Sequence, residues 1–239
     1  MIFRINYVTS LMLILLSAVA FTSCHETEDP GPIQETEKEF SEIDFDRLEM
    51  GDALNITVKQ GNFFAISVRG DRRNVDDLLV RKEGSTLVIR FEDNRNRRHN
   101  TYITITTPAL LGANFSGASD SRITGFYDLE SFDFYLSGAS VSQLDITAAK
   151  LDVTISGASY LNVRGSGDIL DAELSGASAL RAFNFPVTDA VIRASGASDG
   201  NVAVSNSLKA TANGASVIRY RGNPAVTSDV SGASSVRQD

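Results

Sequence analysis

Apolar and polar residues alternate with period two over much of the chain. In its second half one tripeptide interrupts the alternation at regular intervals. Gly-Ala-Ser begins at Gly117, Gly138, Gly157, Gly176, Gly196, Gly214 and Gly232, at intervals of 21, 19, 19, 20, 18 and 18 residues. Counting from the repeat glycine, positions −6, −4 and −2 run from Leu111, Ala113 and Phe115 to Val226, Ser228 and Val230, and 20 of these 21 residues are apolar, Ser228 being the exception. Position +6 is Ile123, Leu144, Val163, Ala182, Val202, Tyr220 and finally the polar Gln238, while the residues between are mostly polar. A period of two with one apolar side is a strand with one buried face. Each repeat therefore reads strand, corner, strand, short loop. It has no room for a helix, and its period is less than half that of a propeller blade. The pattern predicts an all-β fold, a β-solenoid and most simply a right-handed parallel β-helix. Its coils of roughly 19 residues stack about 4.8 Å apart.

Gly-Ala-Ser suits a corner. Glycine takes positive φ without a Cβ clash. Alanine is expected to fit a tight inner corner, methyl on methyl between coils. Serine would form a column of hydroxyls that bond one another or the turn backbone. That column can be read as a ligand ladder or as a corner that stacks well, and the second needs fewer assumptions. The last repeat has no further one to cover its inward side chains from Val226 on, where solenoids usually carry a cap.

The first half alternates in the same way in LNITVKQ (Leu54–Gln60), FAISVRG (Phe64–Gly70), LLVRKEGSTLVIRF (Leu78–Phe91) and YITITTP (Tyr102–Pro108). Its spacing is less regular, so it reads as an irregular opening of the same solenoid, with KEG at Lys82–Gly84 turning a hairpin. The basic run RNRRH (Arg95–His99) falls in a loop between two of these strands. It suits either a solvated loop or an anion grip.

The N-terminus carries an address. Arg4 precedes the apolar run Leu11–Ala20, which is too short for a spanning helix and reads as a secretory signal over residues 1–23. AVA at Ala18–Ala20 offers one cleavage site. FTSC at Phe21–Cys24 resembles a bacterial lipobox with Phe21 in place of the usual Leu, which would make Cys24 the lipidated N-terminus and the membrane its partner. Cys24 is the only cysteine, so no internal disulfide framework exists. Residues 24–42 read as an acidic tether, and from His25 to Asp46 nine acids face one lysine. This stretch also resembles the surface-export tags of Bacteroidetes lipoproteins. Residues 43–239 form the single solenoid domain.

Composition narrows the chemistry. The 239 residues carry a net charge of −8, or −9 once residues 1–23 are removed, which argues against a nucleic-acid partner. Two histidines and one cysteine leave no zinc set and no Ser-His-Asp arrangement apart from one through His99. No nucleophile-elbow motif or nonapeptide calcium repeat is present. No cofactor is implied.

The layout FDRLEMGDALNITVKQG (Phe45–Gly61), LVRKEGSTLVIRF and YITITTPALLGANFSGASD (Tyr102–Asp120), followed by SGAS coils, resembles the auto-transporter adhesin head family, the GIN domain, over roughly residues 43–236. The resemblance implies an all-β repeat fold in secreted or lipid-anchored envelope proteins, an adhesin role, and no catalytic residues.

Two columns of polar residues remain as candidates. Position +5 lines up Arg122, Gln143, Asn162, Arg181, Asn201, Arg219 and Arg237, planar donors that suit carboxylates or sulfates on an extended polymer, or merely a soluble strand. Position −5 lines up Asp133, Asp152 and Asp171 in successive coils roughly 5 Å apart. Such a column suits a retaining glycosidase, a polysaccharide lyase or bound calcium, with Glu173 and Arg193 at −3 assisting. By contrast, Asp120 and Asp199 share position +3 but stand four coils apart, roughly 19 Å, too far for a glycosidase pair. The function expected is thus a non-catalytic envelope lipoprotein binding acidic glycan or an envelope protein through a solenoid face. The alternatives are a polysaccharide-active enzyme using the aspartate column, or a purely structural envelope protein.

Overall fold

The structure, a computed structural model, describes residues 31–93 and 95–239; the leader, Cys24 and the start of the acidic stretch lie outside them. Its elements are β1 (Glu35–Phe40), β2 (Arg47–Met50), β3 (Asn55–Gln60), β4 (Ala65–Asp71), α1 (Arg72–Val75), β5 (Leu78–Glu83), β6 (Thr86–Phe91), β7 (Thr101–Thr107), β8 (Gly112–Phe115), β9 (Asp120–Leu136), β10 (Val141–Ile155), β11 (Tyr160–Leu174), β12 (Ala179–Ala194), β13 (Asp199–Ala212), β14 (Val217–Arg221), β15 (Ala225–Val230) and β16 (Ser235–Gln238). The repeats stack as parallel coils, and each Gly-Ala-Ser stands directly over the one before it.

Each coil has one sharp corner and one soft one. The sharp corner is the tripeptide. In β9 to β13 the soft corner is no loop: strand continues through it from one Gly-Ala-Ser to the next, whereas residues 222–224 separate β14 from β15 in the coil that follows. Their lengths of 17, 15, 15, 16 and 14 residues follow the repeat intervals. The irregularity in the period is thus absorbed at the soft corner, where the register slips, as between Asp145 and Ile146 and between Ala182 and Pro186.

The sharp corner corrects one expectation. All seven repeat glycines have positive φ, but the alanines face out and the serines face in. From Ala158 onward each alanine N–H bonds the glycine carbonyl of the coil before, as Ala177 does to Gly157 at 2.8 Å. Ser119, Ser140, Ser159, Ser178, Ser198 and Ser216 are buried. Ser140 Oγ donates to Ser137 O at 2.8 Å and accepts the Ser119 N–H at 3.2 Å, so one hydroxyl closes its own turn and holds the previous coil. A buried hydroxyl with those partners is a structural staple, which removes the serine column as a ligand ladder.

Phe115, Phe132 and Phe134 fill the first repeats, and Phe115 meets Phe134 edge-on at 5.9 Å between ring centroids. Ala190, Ala194, Ala210 and Ala212 line the later ones. The interior side chains are thus smaller in the later coils. Leu110, not Leu111, fills the interior before β8, and Leu111 faces out. At the far end β15 is exposed throughout, and Val226 and Val230 are 40% and 43% exposed.

The opening contains a coil that lacks the tripeptide. β2 lies under β8 and β3 under β9, so Gly51–Leu54 (GDAL) is itself a sharp corner. Asp52 and Ala53 take positive φ there, Leu54 replaces the buried serine, and Ala53 N–H bonds Gly117 O at 2.7 Å. The chain between β3 and β8 caps this coil. β6 and β7 add a further parallel coil, with the arginine-rich loop as its corner. β4, α1 and β5 then form a reversed coil, antiparallel to β7 and β6. The KEG turn does make the expected hairpin, between β5 and β6.

β1 pairs antiparallel with β4, so Glu35–Phe40, read from composition as tether, is strand. Its acids stay at the surface, where Glu35 meets Arg69 and Glu37 meets Ser67, while Phe40 packs against the core. Charge on an outermost strand also discourages further pairing. Ile33–Asp239 is one compact unit.

The buried Asp71 carboxylate ties this cap together. It accepts the Gln34 N–H at 3.0 Å, the Arg73 N–H at 3.0 Å, and the Arg73 guanidinium at 2.7 and 2.6 Å. The Arg73 side chain, aided by the two N–H groups and opposed by burial, holds this carboxyl well below the usual carboxylate range.

Two predictions follow from this geometry. A Cβ on Gly176 would lie 2.5 Å from Gly157 O, whereas one on Gly84, also at positive φ, would meet nothing within 4 Å. Gly84→Ala should cost about 1 kcal/mol from backbone conformation alone, and Gly176→Ala about 3 kcal/mol or more. Urea midpoints at unchanged far-UV dichroism measure both, and equal losses would contradict the stacking argument. For Asp71 the folded-state pKa is the lower one. Its stabilisation is present above the unfolded value of about 3.9 and is lost as pH falls below it. The stability gap between wild type and Asp71→Asn should therefore shrink from about pH 6 to about pH 3. A gap that does not change with pH would contradict this assignment.

Candidate binding face

The coils present two broad sheet faces, and the two candidate columns lie on opposite ones. The first face is a continuous path of eleven strands in the order β1-β4-β7-β3-β9-β10-β11-β12-β13-β14-β16. The second is built from β5, β6, β2 and β8, the later halves of β9 to β13, and β15.

The +5 column is in register on the first face: Arg122, Gln143, Asn162, Arg181, Asn201, Arg219 and Arg237 pair in that order on successive strands. It is not a free row of cations. Asp199, on the strand between them, takes Arg181 on Oδ1 and Arg219 on Oδ2, each at 2.7 Å. Asn201 is buried beside it, and with its amide nitrogen turned toward Asp199 it donates to Oδ1 at 3.0 Å. The sequence aligned the arginines, but it did not show that a +3 aspartate would fall between two of them. Arg122 makes no hydrogen bond or ion pair among the described residues.

The column continues beyond the repeats, which the sequence reading missed. Arg122 pairs with Thr57, Thr57 with Thr104, and Thr104 with Ser67. The +3 column likewise runs from Asp120 to Asn55, Tyr102 and Arg69. A groove of about 410 Å³ opens over these four strands. The missing signal was the GDAL corner, which sets the register of β3 against β9.

The −5 column on the second face is also in register, Asp133 beside Asp152 beside Asp171. Each carboxylate is ion-paired: Arg47 with Asp133 at 2.8 Å, Lys150 with Asp152 at 2.8 Å, and Arg193 with Asp171 at 2.7 Å. Arg193 thus joins the column as a counter-ion, and Glu173 stands beside Arg193 on the adjoining strand. The Asp152 bond, with the fields of Asp171 and Asp133, raises the Lys150 pKa. Among the described residues no group of three or more His, Cys, Asp or Glu side chains could hold a metal.

The arginine-rich loop is pinned. Arg97 bonds Asp77 and Asp93 O, and its guanidinium lies 3.5 Å from the Phe91 ring centroid. Arg95 bonds Arg73 O at 2.6 Å, and His99 O accepts from Asn74. Those guanidinium groups serve the cap.

The sequence profile of the family described as "Putative auto-transporter adhesin, head GIN domain" matches residues 44–224. The chain belongs to that family. Its fold is shared with solved structures of low sequence identity. A crystal structure of "a putative adhesin" from Bacteroides fragilis superposes with a TM-score of 0.81 at 20% identity, covering 86% of this chain and 97% of that one. "A putative adhesin" from Parabacteroides merdae gives 0.70 at 17%, covering 86% and 96%. A "Putative lipid binding protein" from Parabacteroides distasonis gives 0.67 at 16%, with the same coverages. No curated protein matches the chain.

If Asp199 neutralises the two arginines beside it, Asp199→Asn should release both. The variant should elute from a heparin resin at higher salt than wild type, with stability lowered by about 1 kcal/mol or less. Unchanged elution would mean that Arg181 and Arg219 already face an anion freely.

Proposed function

We propose that this member of the adhesin head family is a non-catalytic, exported envelope lipoprotein, anchored through Cys24, that holds its ligand along the eleven-strand face. The observation that carries the reading is the contrast between the two faces. The first is long, in one register and rich in short polar side chains, and it leaves Tyr102, Val141 and Tyr160 exposed in its +3 column. On the second, each of the three stacked carboxylates has a cation partner, so no unpaired carboxylate pair stands ready as acid and nucleophile. The placement outside the cell is supported by the family's description as an adhesin head and by the apolar leader that precedes Cys24.

Two measurements test this. Wild-type protein should incorporate labelled palmitate and sediment with the envelope, and Cys24→Ser should do neither. Protease added to intact cells should remove the wild-type chain. Lipidation without surface digestion would point instead to a structural role inside the envelope, and envelope retention of unlabelled Cys24→Ser would refute the anchor.

A further inference from the structure

We infer that the groove over β4, β7, β3 and β9 is a subsite for a carboxylated pyranose, an inference that rests on the adhesin reading of this face. Asn55, Thr57 and Thr104, which are short and polar, form its floor. Tyr102 and Arg69 rise on one side, and Asp120 and Arg122 on the other. Long side chains flanking short ones make a trough about two strand spacings across, roughly 10 Å, the scale of a single sugar ring with its substituents.

The chemistry of the lining selects the ligand. Tyr102 is 42% exposed on a strand whose inward residues, Ile103 and Ile105, already fill the core. Its ring is steadied by the Arg69 guanidinium 5.2 Å from its centroid, and Arg69 is held in turn by Glu35 at 2.8 Å. An exposed aromatic ring fixed in this way offers an apolar platform for the C–H face of a pyranose, with its hydroxyl at the wet edge. Thr57, Thr104, Asn55 and Asp120 supply the donors and acceptors that sugar hydroxyls need.

Arg122 decides the charge. Arg69, Arg181 and Arg219 on this face are each ion-paired, whereas Arg122 is exposed and has no partner among the described residues. A guanidinium fork matches the two oxygens of one carboxylate. Two carboxylates also line the groove, Asp120 and Glu37, the latter accepting from Ser67 Oγ, and they disfavour a multiply charged group, because the groove offers no second free cation to offset them.

The test uses protein extracted from the envelope in detergent, titrated with galacturonate, glucuronate and sialyl oligosaccharides, with a neutral glucan oligosaccharide and with dextran sulfate. Arg122→Ser should weaken the carboxylated ligands about tenfold. Arg122→Lys should recover part of the loss, because it keeps charge without the fork. Tyr102→Ala should weaken the carboxylated ligands by a similar factor. Both side chains are exposed, so unchanged melting temperatures should confirm intact folds. Carboxylated sugars that bind wild type and both variants alike would overturn the subsite while leaving the face reading intact. Preference for dextran sulfate would overturn the carboxylate assignment. Absence of all sugar binding, in a protein that still adheres to surfaces, would overturn the inference but not the adhesin reading. Loss of adherence as well would overturn both.

Discussion

The structure depends on a close approach of backbone to backbone at the sharp corner. From Gly157 onward each repeat glycine sits on the carbonyl of the repeat glycine beneath it, where no Cβ would fit. The following alanine N–H bonds that same carbonyl, and the following serines turn inward, Ser198 and Ser216 closing their turns on Ser195 O and Asn213 O. Because every coil is locked to its neighbour at this one point, variation in coil length has only one place to go. It goes to the soft corner, and both faces near the sharp corner remain in register from coil to coil.

That register determines what the surface can do. Side chains at equivalent positions stand one strand apart, so a residue type repeated in sequence becomes a line in space. Whether the line is available to a ligand depends on the next column over. The aspartates at −5 are met by Arg47, Lys150 and Arg193, and Arg181 and Arg219 are met by Asp199. At the end of the first face built partly from non-repeat strands, an open arginine and an exposed tyrosine line one groove.

The sequence showed the columns plainly, because period two and a fixed tripeptide translate directly into geometry. What it hid was local. Ala and Ser exchange sides because alternation alone does not say which way a positive-φ glycine passes it on. The GDAL coil escaped notice because a left-handed Asp-Ala pair does the work of Gly-Ala, with Leu54 in the place of serine. The acidic composition of Glu35–Phe40 described its side chains correctly but said nothing of its backbone, which β4 was free to pair. The groove was illegible for the same reason. It needs β3 beside β9, two strands whose sequences lie some sixty residues apart.

That separation governs how the molecule is assembled. Each repeat coil needs only the one before it, so once a first coil stands, the rest add by closing loops of about twenty residues. The first coil has no such help. β3 is flanked by β7 and β9, and β2 by β6 and β8, all of which come later in the chain. The N-terminal third therefore pairs strands across long stretches of chain, whereas each later coil pairs with one about twenty residues away. Synthesis from the N-terminus therefore delivers the segment with long-range pairings before the repeats that stack on it.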